Sequence, residues 1–317
     1  MKSALILGIT GQDGSYLTEF LLEKKYSVWG MVRNLSSHKL NNLANTISRI
    51  KLIDGNILNV NSLRKAIKLS NPDEIYNFAG HSDIASSWDN ISAVYKSVAI
   101  PPITIMDEIL KSKKEMKFYQ SSSSEMYGNI NSYPQNEITS FYPRNPYGFS
   151  KLFAHWATVN FRNKYGIHAV SGILYNHESP RRSEKFVTKK IINSAIRIKY
   201  GLQKNIVLGN LDTQRDWGYA PEYVDAIWRM IQNNSPNDYV IGTGKLHSVR
   251  EFCQITFEKL NLEYEQFIKI DKKLCRSFDE SILVADSSKA RKELSWEAST
   301  NLDQLIDIMI NAEIKNY

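Results

Sequence analysis

A tyrosine and a lysine four residues apart, Tyr147 and Lys151, are the first arrangement in this chain that could do chemistry. On a helix the two side chains lie on one face. There the ammonium of Lys151 can lower the pKa of the phenol, which makes Tyr147 a candidate general base near neutral pH. The alternative is an ordinary amphipathic helix face, since this spacing also occurs by chance.

A serine-rich run at 121–128 contributes two further candidate groups, Ser123 and Glu125. It follows a predicted strand at 117–121, and open α/β sheets bind ligands at the carboxyl ends of their strands. Ser123 can hydrogen-bond a sugar hydroxyl that is being oxidised, and a carboxylate suits proton abstraction next to a ketone. The alternatives are a polar turn for the serines and a helix-start carboxylate for Glu125. The predicted catalytic residues are Ser123, Glu125, Tyr147 and Lys151.

Three glycines at the start of the chain predict a dinucleotide site. Gly8, Gly11 and Gly14 stand between an apolar strand at 3–7 and a helical pattern at 15–25, and this context makes a glycine fingerprint credible. The glycines let the backbone approach a pyrophosphate, whose charge the helix N-terminus stabilises. A plain strand-to-helix turn is the alternative.

The end of the second predicted strand, at 27–33, distinguishes between the two nicotinamide cofactors. An acidic residue there would bind the ribose hydroxyls of NAD. The chain instead has Arg33, followed by Asn34 and two serines, and a cation beside hydroxyl groups suits a 2′-phosphate. We therefore expect NADP, with NAD as the alternative if Arg33 is only an exposed cation.

Composition excludes several classes of protein. The 317 residues are 42% hydrophobic and 23% charged, as in soluble globular proteins, and no apolar run reaches the length of a membrane span. Cys253 and Cys275 have no metal-ligand spacing, which predicts no metal site and a reducing, cytoplasmic location. The formal charge of +7 reflects either solvated lysines or a field that favours an anionic ligand. Without a dense basic tract with interleaved aromatics, nucleic acid is not an expected partner.

Strands and helices alternate through the first half of the chain. Strands are predicted at 50–53, 74–78 and 169–174 in addition to those above, with helices around 61–69, 92–110 and 147–165 between them. This order predicts a doubly wound parallel sheet with a smaller C-terminal substrate lobe. We expect the dinucleotide domain at 1–175 with a returning segment near 211–243, and the lobe at 176–210 and 244–317. Two prolines at 101–102 should kink or restart the helix there.

A polar, arginine-rich segment at 176–182, Asn-His-Glu-Ser-Pro-Arg-Arg, is unusual for a connector. Arginine forks suit phosphates, and an anion such as a nucleotide diphosphate would use several cations. Each of these residues could by itself be a solvated surface charge. The cations of this C-terminal half that favour a diphosphate-bearing substrate are Arg181, Arg182, Lys189, Lys190, Arg215 and Arg276.

At these residues the chain resembles the GDP-mannose 4,6-dehydratases, which are extended short-chain dehydrogenases. The segment 176–182 is the most specific part of the resemblance, which runs essentially from end to end. Other stretches that resemble the family are 8–17, 72–77, 141–144, 208–212, 215–218 and 247–252.

The resemblance implies a redox-neutral dehydration of a GDP-hexose. Tyr147, assisted by Lys151 and Ser123, would remove the proton of the 4-hydroxyl while a hydride passes from C4 to NADP⁺. Glu125 would then take the acidified C5 proton, and the 6-hydroxyl would leave as water. The hydride would return to C6, which gives a GDP-4-keto-6-deoxyhexose.

The resemblance also assigns binding residues and assembly. Related enzymes are dimers or tetramers, and in some of them the loop matching 33–43 reaches a neighbour's cofactor. The implied substrate-binding residues are Ser82, Asn176, Val187, Lys190, Asn210, Arg215 and Arg276. The implied cofactor-binding residues are Gly8, Thr10, Gly11, Gln12, Asp13, Gly14, Arg33, Asn56, Ile57, Phe78, Ala79, Gly80, Ser82, Tyr147, Lys151, His177 and Arg182.

Several positions depart from the family pattern and bear on the choice of sugar. The run 78–83 is Phe-Ala-Gly-His-Ser-Asp in place of Leu-Ala-Ala-Gln-Ser-His, and Gly80 would leave extra room if it faces the sugar. GDP-mannose is the favoured substrate, and GDP-N-acetylglucosamine, used by a similar dehydratase of legionaminic acid synthesis, is the alternative. A nucleotide-sugar epimerase or oxidoreductase, and a non-catalytic dinucleotide-binding regulator, are the other hypotheses. The remaining departures are Asn34 for a second arginine, Asn56 for Asp, Ser123 for Thr and Ser277 for Pro.

Overall fold

The computed structural model describes residues 1–35, 38–275 and 282–317. Its strands are β1 (Ser3–Leu7), β2 (Ser27–Val32), β3 (Lys51–Asp54), β4 (Glu74–Asn77), β5 (Lys117–Ser123), β6 (Ala169–Leu174), β7 (Asn176–Glu178), β8 (Ile206–Leu208), β9 (Gln214–Arg215), β10 (Trp217–Tyr219), β11 (Asp238–Ile241), β12 (His247–Ser248) and β13 (Ile268–Ile270). Its α-helices are α1 (Gln12–Glu23), α2 (Val60–Ser70), α3 (Ile91–Val98), α4 (Ile100–Lys111), α5 (Pro146–Tyr165), α6 (Val187–Lys199), α7 (Ala220–Gln232), α8 (Val249–Lys259), α9 (Tyr264–Phe267), α10 (Ser288–Leu294) and α11 (Leu302–Glu313).

Seven strands form one parallel sheet, in the order β11-β6-β5-β4-β1-β2-β3. The order reverses between β1 and β4, and this switch point is where doubly wound sheets bind their ligands. The predicted doubly wound parallel sheet is confirmed. Strand β11, from the C-terminal half of the chain, pairs with β6 at the sheet edge.

Both faces of the sheet are buried, which explains why the strands read as apolar runs. Because side chains alternate along a strand, Ala4 and Ile6 of β1 pack with α1 and α7 on one face. Leu5 and Leu7 pack with α2 and α4 on the other face. The helices therefore hold β1 from both sides and fix the position of the turn that follows it.

Helix ends follow from residues that the chain supplies locally. The two prolines at 101–102 occupy the first turn of α4, where a proline needs no N–H partner. The helix predicted at 92–110 is accordingly restarted, as α3 and α4. Helix α5 begins behind the Asn145 cap and ends at Gly166, whose φ of 69° closes the helix in the left-handed conformation. Among the described residues, no helix has the length and apolarity needed to cross a bilayer.

A second hydrophobic core lies in the C-terminal half of the chain. It is built mainly from α6, α8 and α11, with Phe252 and Phe257 fully buried. Leu211 and Trp217, from the segment before α7, also pack into it. These elements place residues 176–215 beside the carboxyl edge of the main sheet.

Candidate active site

A cavity of about 280 Å³ lies at the carboxyl edge of the sheet. The residues that line it come from the ends of β4, β5 and β6, from α5 and from the C-terminal half of the chain. The four predicted catalytic residues, Ser123, Glu125, Tyr147 and Lys151, all line this cavity.

The end of β5 places Ser123 and Glu125 side by side. The Ser123 hydroxyl accepts a hydrogen bond from the Glu125 backbone N–H at 3.2 Å. The Glu125 carboxylate accepts one from the side-chain amide of Asn145 at 2.9 Å. The same Asn145 side chain accepts from the Gly148 N–H at 2.7 Å and so caps α5. One residue therefore ties the candidate carboxylate to the start of the helix that carries Tyr147.

Sequence reasoning missed Asn145, although a signal for it was present. An asparagine directly before a proline is a typical start of a helix, because its side chain satisfies an N–H of the first turn and proline needs no partner there. That signal identifies the cap. The second contact, to Glu125 twenty positions earlier in the chain, arises only in the fold.

The electrostatics of Tyr147 and Lys151 differ from the sequence prediction. Burial raises the pKa of Tyr147 to about 12, against the opposing effect of its hydrogen bond with Ser123. Burial also lowers the pKa of Lys151 to about 8. The ammonium donates to the Ser121 carbonyl at 2.7 Å and lies 5.5 Å from the centre of the Tyr147 ring. The expected depression of the Tyr147 pKa does not occur in this arrangement, because desolvation outweighs the hydrogen bond with Ser123 and the charge of Arg182.

The glycine turn has the shape that a dinucleotide diphosphate requires. Gly8 has a φ of +84°, and a Cβ on Gly14 would lie 2.4 Å from the Gly8 carbonyl oxygen. Gly11 caps α1 without any side-chain hydrogen bond. The N–H groups of the first turn are therefore left to an anion, and the residues present fit a nicotinamide dinucleotide.

Two residues of this turn contact the segment at 176–182. The Gln12 amide donates to the His177 carbonyl at 3.0 Å and accepts from the Ser179 hydroxyl at 2.8 Å. The Asp13 carboxylate lies 3.0 Å from Nε2 of His177. Arg181 stacks on the ring of Tyr16 in α1 at 4.0 Å, so it serves the packing of the two segments rather than the cavity.

The remaining predicted cofactor residues follow neighbouring strands. Exposed Arg33 comes directly after β2, and Asn56 after the adjacent β3. Asn56 accepts a hydrogen bond from the Leu58 N–H at 3.0 Å, while Ile57 packs against the core. The Thr10 carbonyl accepts from Asn42 at 3.0 Å. Phe78, Ala79 and Ser82 line the cavity, and Gly80 between them is exposed with a φ of +130°.

The predicted substrate residues are only partly brought together. Arg182 lines the cavity and stacks on the Phe186 ring at 3.6 Å. The Lys190 ammonium donates to the Val207 carbonyl at 2.7 Å. Arg276 and Ser277 lie outside the described residues. The predicted substrate residues that line the cavity are Ser82, Asn176, Val187, Asn210 and Arg215.

Asp216 is a second residue that sequence reasoning missed. Its buried carboxylate accepts hydrogen bonds from the N–H groups of Thr243, Gly244 and Ala285 and from the Thr243 hydroxyl. Burial raises its pKa, although these hydrogen bonds oppose the shift. Asp216 thus fixes the strand that carries Arg215 against two distant loops.

The described residues contain no cluster of His, Cys, Asp or Glu that could hold a metal ion.

Solved structures with the same fold are widespread. UDP-glucose 4-epimerase of Thermotoga maritima has a TM-score of 0.87 and 22% identity, over 99% of this chain and 98% of that one. dTDP-glucose 4,6-dehydratase of Bacillus anthracis, in complex with NAD, has a TM-score of 0.85 and 19% identity, over 100% and 97%. RMD of Pseudomonas aeruginosa, complexed with NADPH, has a TM-score of 0.84 and 17% identity, over the full length of both chains.

Similarity in sequence is closer and covers nearly the whole chain. GDP-mannose 4,6 dehydratase 1 of Arabidopsis thaliana is 41% identical, over 99% of this chain and 90% of the plant protein. The human GDP-mannose 4,6 dehydratase is 40% identical, over 98% of this chain and 91% of its own length. The family model for GDP-mannose 4,6 dehydratase matches residues 5–309. The chain belongs to the GDP-mannose 4,6-dehydratase family.

Proposed function

We propose that the protein converts GDP-mannose to GDP-4-keto-6-deoxymannose and water, with NADP as its cofactor. One observation carries the proposal beyond family membership. The Glu125 carboxylate lies in the same cavity as Ser123, Tyr147 and Lys151, and Asn145 holds it there. An epimerase on this scaffold needs no carboxylate at this position.

The first proton transfer falls to Tyr147 and Ser123. The interaction with Ser123 lowers the pKa of the phenol against the effect of burial, so the two groups can share the proton of the sugar 4-hydroxyl. Lys151 lies beside the ring, where its charge would stabilise the phenolate. NADP⁺ bound at the glycine turn would supply the redox chemistry, which is acceptance of a hydride from C4 and its return to C6.

Glu125 is assigned the second proton transfer. Oxidation at C4 makes the C5 proton acidic, and an ionised carboxylate is a suitable base for it. The hydrogen bond from Asn145 orients the carboxylate. The same group can then return the proton to the departing 6-hydroxyl, which leaves as water. No net proton or electron is consumed.

NADP is preferred over NAD because of the end of β2. Arg33 stands there, exposed, and β2 ends without the acidic residue that would hold an unmodified ribose. The guanidinium suits a 2′-phosphate. NAD is the alternative, and the dissociation constants of the two cofactors, measured with an Arg33→Ala variant in parallel, distinguish them.

The proposed division of the chain follows the two hydrophobic cores. Residues 1–175 and 211–243 form the dinucleotide domain around the main sheet, and residues 176–210 and 244–317 form the substrate lobe. Strand β11 supports the returning segment because it pairs with β6. Leu211 and Trp217 of that segment pack into the core of the lobe, so the two units share a large interface.

A homo-oligomer is proposed from an exposed aromatic face on α5. Phe149, Phe153 and Trp156 are each nearly half exposed, at 46%, 48% and 49%, and their spacing puts them on one side of the helix. A second copy of the chain is a fitting partner for such a face. Light scattering tests this, since Phe153→Asp should shift a dimer towards monomer.

The two cysteines are free thiols, which fits a reducing cytoplasm.

The function is tested by an NMR time course that follows the appearance of a C6 methyl doublet. Purified protein is incubated with NADP⁺ and either GDP-mannose or GDP-N-acetylglucosamine. A methyl from GDP-mannose supports the proposal. A methyl from the N-acetylated sugar alone keeps the mechanism and changes the substrate. The expectation that Gly80 leaves room for that sugar is not supported, because a Cβ there would lie 2.9 Å from the Ser97 carbonyl oxygen and Gly80 does not line the cavity. A change of configuration without a methyl would overturn the proposal in favour of an epimerase.

A further inference from the structure

Asp13, which is half-buried, and His177, which is buried, form a pair whose geometry indicates which ring nitrogens carry protons. Nε2 of His177 lies 3.0 Å from the Asp13 carboxylate, and Nδ1 lies 2.8 Å from the Tyr175 carbonyl oxygen. A carbonyl oxygen and an ionised carboxylate can only accept hydrogen bonds. Both ring nitrogens must therefore carry a proton, which makes His177 an imidazolium ion.

The surroundings support the charged form. Burial alone would lower the pKa of His177, but the charge and hydrogen bond of Asp13 outweigh it and raise this pKa above its ordinary value of 6.5. Burial would raise the pKa of Asp13, and His177 reverses that effect, so this pKa is lowered. The imidazolium also stacks on the Tyr223 ring at 4.7 Å. Other titratable or charged groups around the pair are Arg182, Lys151, Tyr147 and Tyr119.

The position of Asp13 makes this charge state consequential. Asp13 lies in the first turn of α1, between Gly11 and Gly14 of the glycine turn. A helix N-terminus of this kind attracts an anion, but a bare carboxylate at the same place would repel one. A neutral ion pair removes that repulsion. It also leaves the N–H groups of the turn available, because Asp13 is held by His177 rather than by the helix backbone.

We propose that His177 is a positioning residue whose imidazolium neutralises Asp13, so that the turn at 8–14 can accept the diphosphate of a dinucleotide. The inference depends only on the cofactor part of the proposed function. Two uncharged contacts join the same segments, from Gln12 to His177 and from Ser179 to Gln12. They provide a way to separate the effect of charge from that of mechanical attachment.

A double-mutant cycle on NADP⁺ affinity tests the proposal. The dissociation constant of the full-length protein is measured by calorimetry for wild type, His177→Gln, Asp13→Asn and the double variant. We expect His177→Gln to weaken binding about tenfold when Asp13 is present, and by less than about twofold in protein that already carries Asp13→Asn. Equal losses in both backgrounds, or no loss, would overturn the proposal.

Ser179→Ala is the matched control, because it removes an uncharged link between the same two segments. Its NADP⁺ affinity should stay within about twofold of wild type. A loss as large as that of His177→Gln would mean that attachment rather than charge matters, and the proposal would fail.

A pH series gives a second readout that needs no turnover. NMR of the wild-type protein should show that the His177 ring stays protonated at pH values above 6.5. The affinity for NADP⁺ should fall as the pH rises through the pKa of His177. That fall should be smaller in Asp13→Asn. Titration of His177 at or below 6.5 in the wild type would overturn the proposal. Absence of sugar dehydration would instead count against the proposed function and leave these measurements unaffected.

Discussion

The two sides of the cavity are built differently. On the sheet side, Ser123 and Lys151 are buried and hydrogen-bonded inside the protein, and Tyr147 beside them is half-buried. On the lobe side, Arg215 is only half-buried and donates to the Gln214 carbonyl, and half-buried Lys190, which does not line the cavity, donates to the Val207 carbonyl. The groups that we propose to move protons are thus already positioned by the fold. The cations that we propose to hold a diphosphate would have to exchange carbonyl partners for phosphate oxygens.

This contrast predicts where substitutions change the rate and where they change affinity. A buried group that acts only on the reacting atoms should affect kcat. A half-exposed cation that binds a remote part of the substrate in ground state and transition state alike should affect KM. The experiments below test whether effects on kcat and effects on KM divide between the two sides in this way.

The largest effect is expected for Glu125→Gln. The amide keeps the shape of the side chain but cannot take a proton, so kcat should fall about a thousandfold, within the range of general-base catalysis. The measurement is the rate of methyl formation at saturating GDP-mannose. Glu265→Gln, at an exposed glutamate, is the control and should retain full activity. A Glu125→Gln enzyme with more than about a tenth of wild-type turnover would remove the carboxylate from the mechanism.

A smaller effect, confined to KM, is expected for Arg215→Ala. Loss of one charge-assisted hydrogen bond to a phosphate should raise KM for the GDP-sugar about tenfold to a hundredfold, with kcat little changed. Arg250→Ala is the control, because Arg250 pairs with exposed Asp212 and its loss should leave KM unchanged. A fall in kcat with constant KM for Arg215→Ala would contradict the division between the two sides.

The same contrast explains how much could be predicted from the sequence. The glycine turn, the Tyr147–Lys151 spacing and the position of Glu125 at a strand end are local patterns. The structure brings Glu125, Tyr147 and Lys151 to one cavity, together with Asp13 from the glycine turn. The attachment of Asp13 to His177 and of Glu125 to Asn145 joins parts of the chain that only the fold brings together. Burial is equally invisible in a local pattern, which is why the pKa of Tyr147 was predicted in the wrong direction.

Asn145→Ala should have a moderate effect on both stability and rate. Loss of the α5 cap should cost about 1 kcal/mol of the free energy of unfolding. Loss of the contact with Glu125 should in addition lower kcat about tenfold, because the carboxylate is no longer oriented. Asn59→Ala is the matched control, since Asn59 caps α2 in the same way and does not line the cavity. It should cost similar stability and leave kcat unchanged. Equal kcat in both variants would show that Asn145 is only a cap.

The smallest effect concerns stability alone and tests burial on the sheet side. Because burial lowers the pKa of Lys151 to about 8 from 10.5, the unfolded chain binds more protons between these pH values. The cost of burying the ammonium is therefore fully present below pH 8 and is relieved as pH rises to 10.5. The Tm of Lys151→Met relative to wild type should accordingly fall by a few degrees over this interval. Lys164→Met, at an exposed lysine near the end of the same helix, should show a Tm difference that does not change with pH. Parallel curves for both variants would mean that Lys151 is solvated in the folded protein, and that the two sides of the cavity are less different than the geometry indicates.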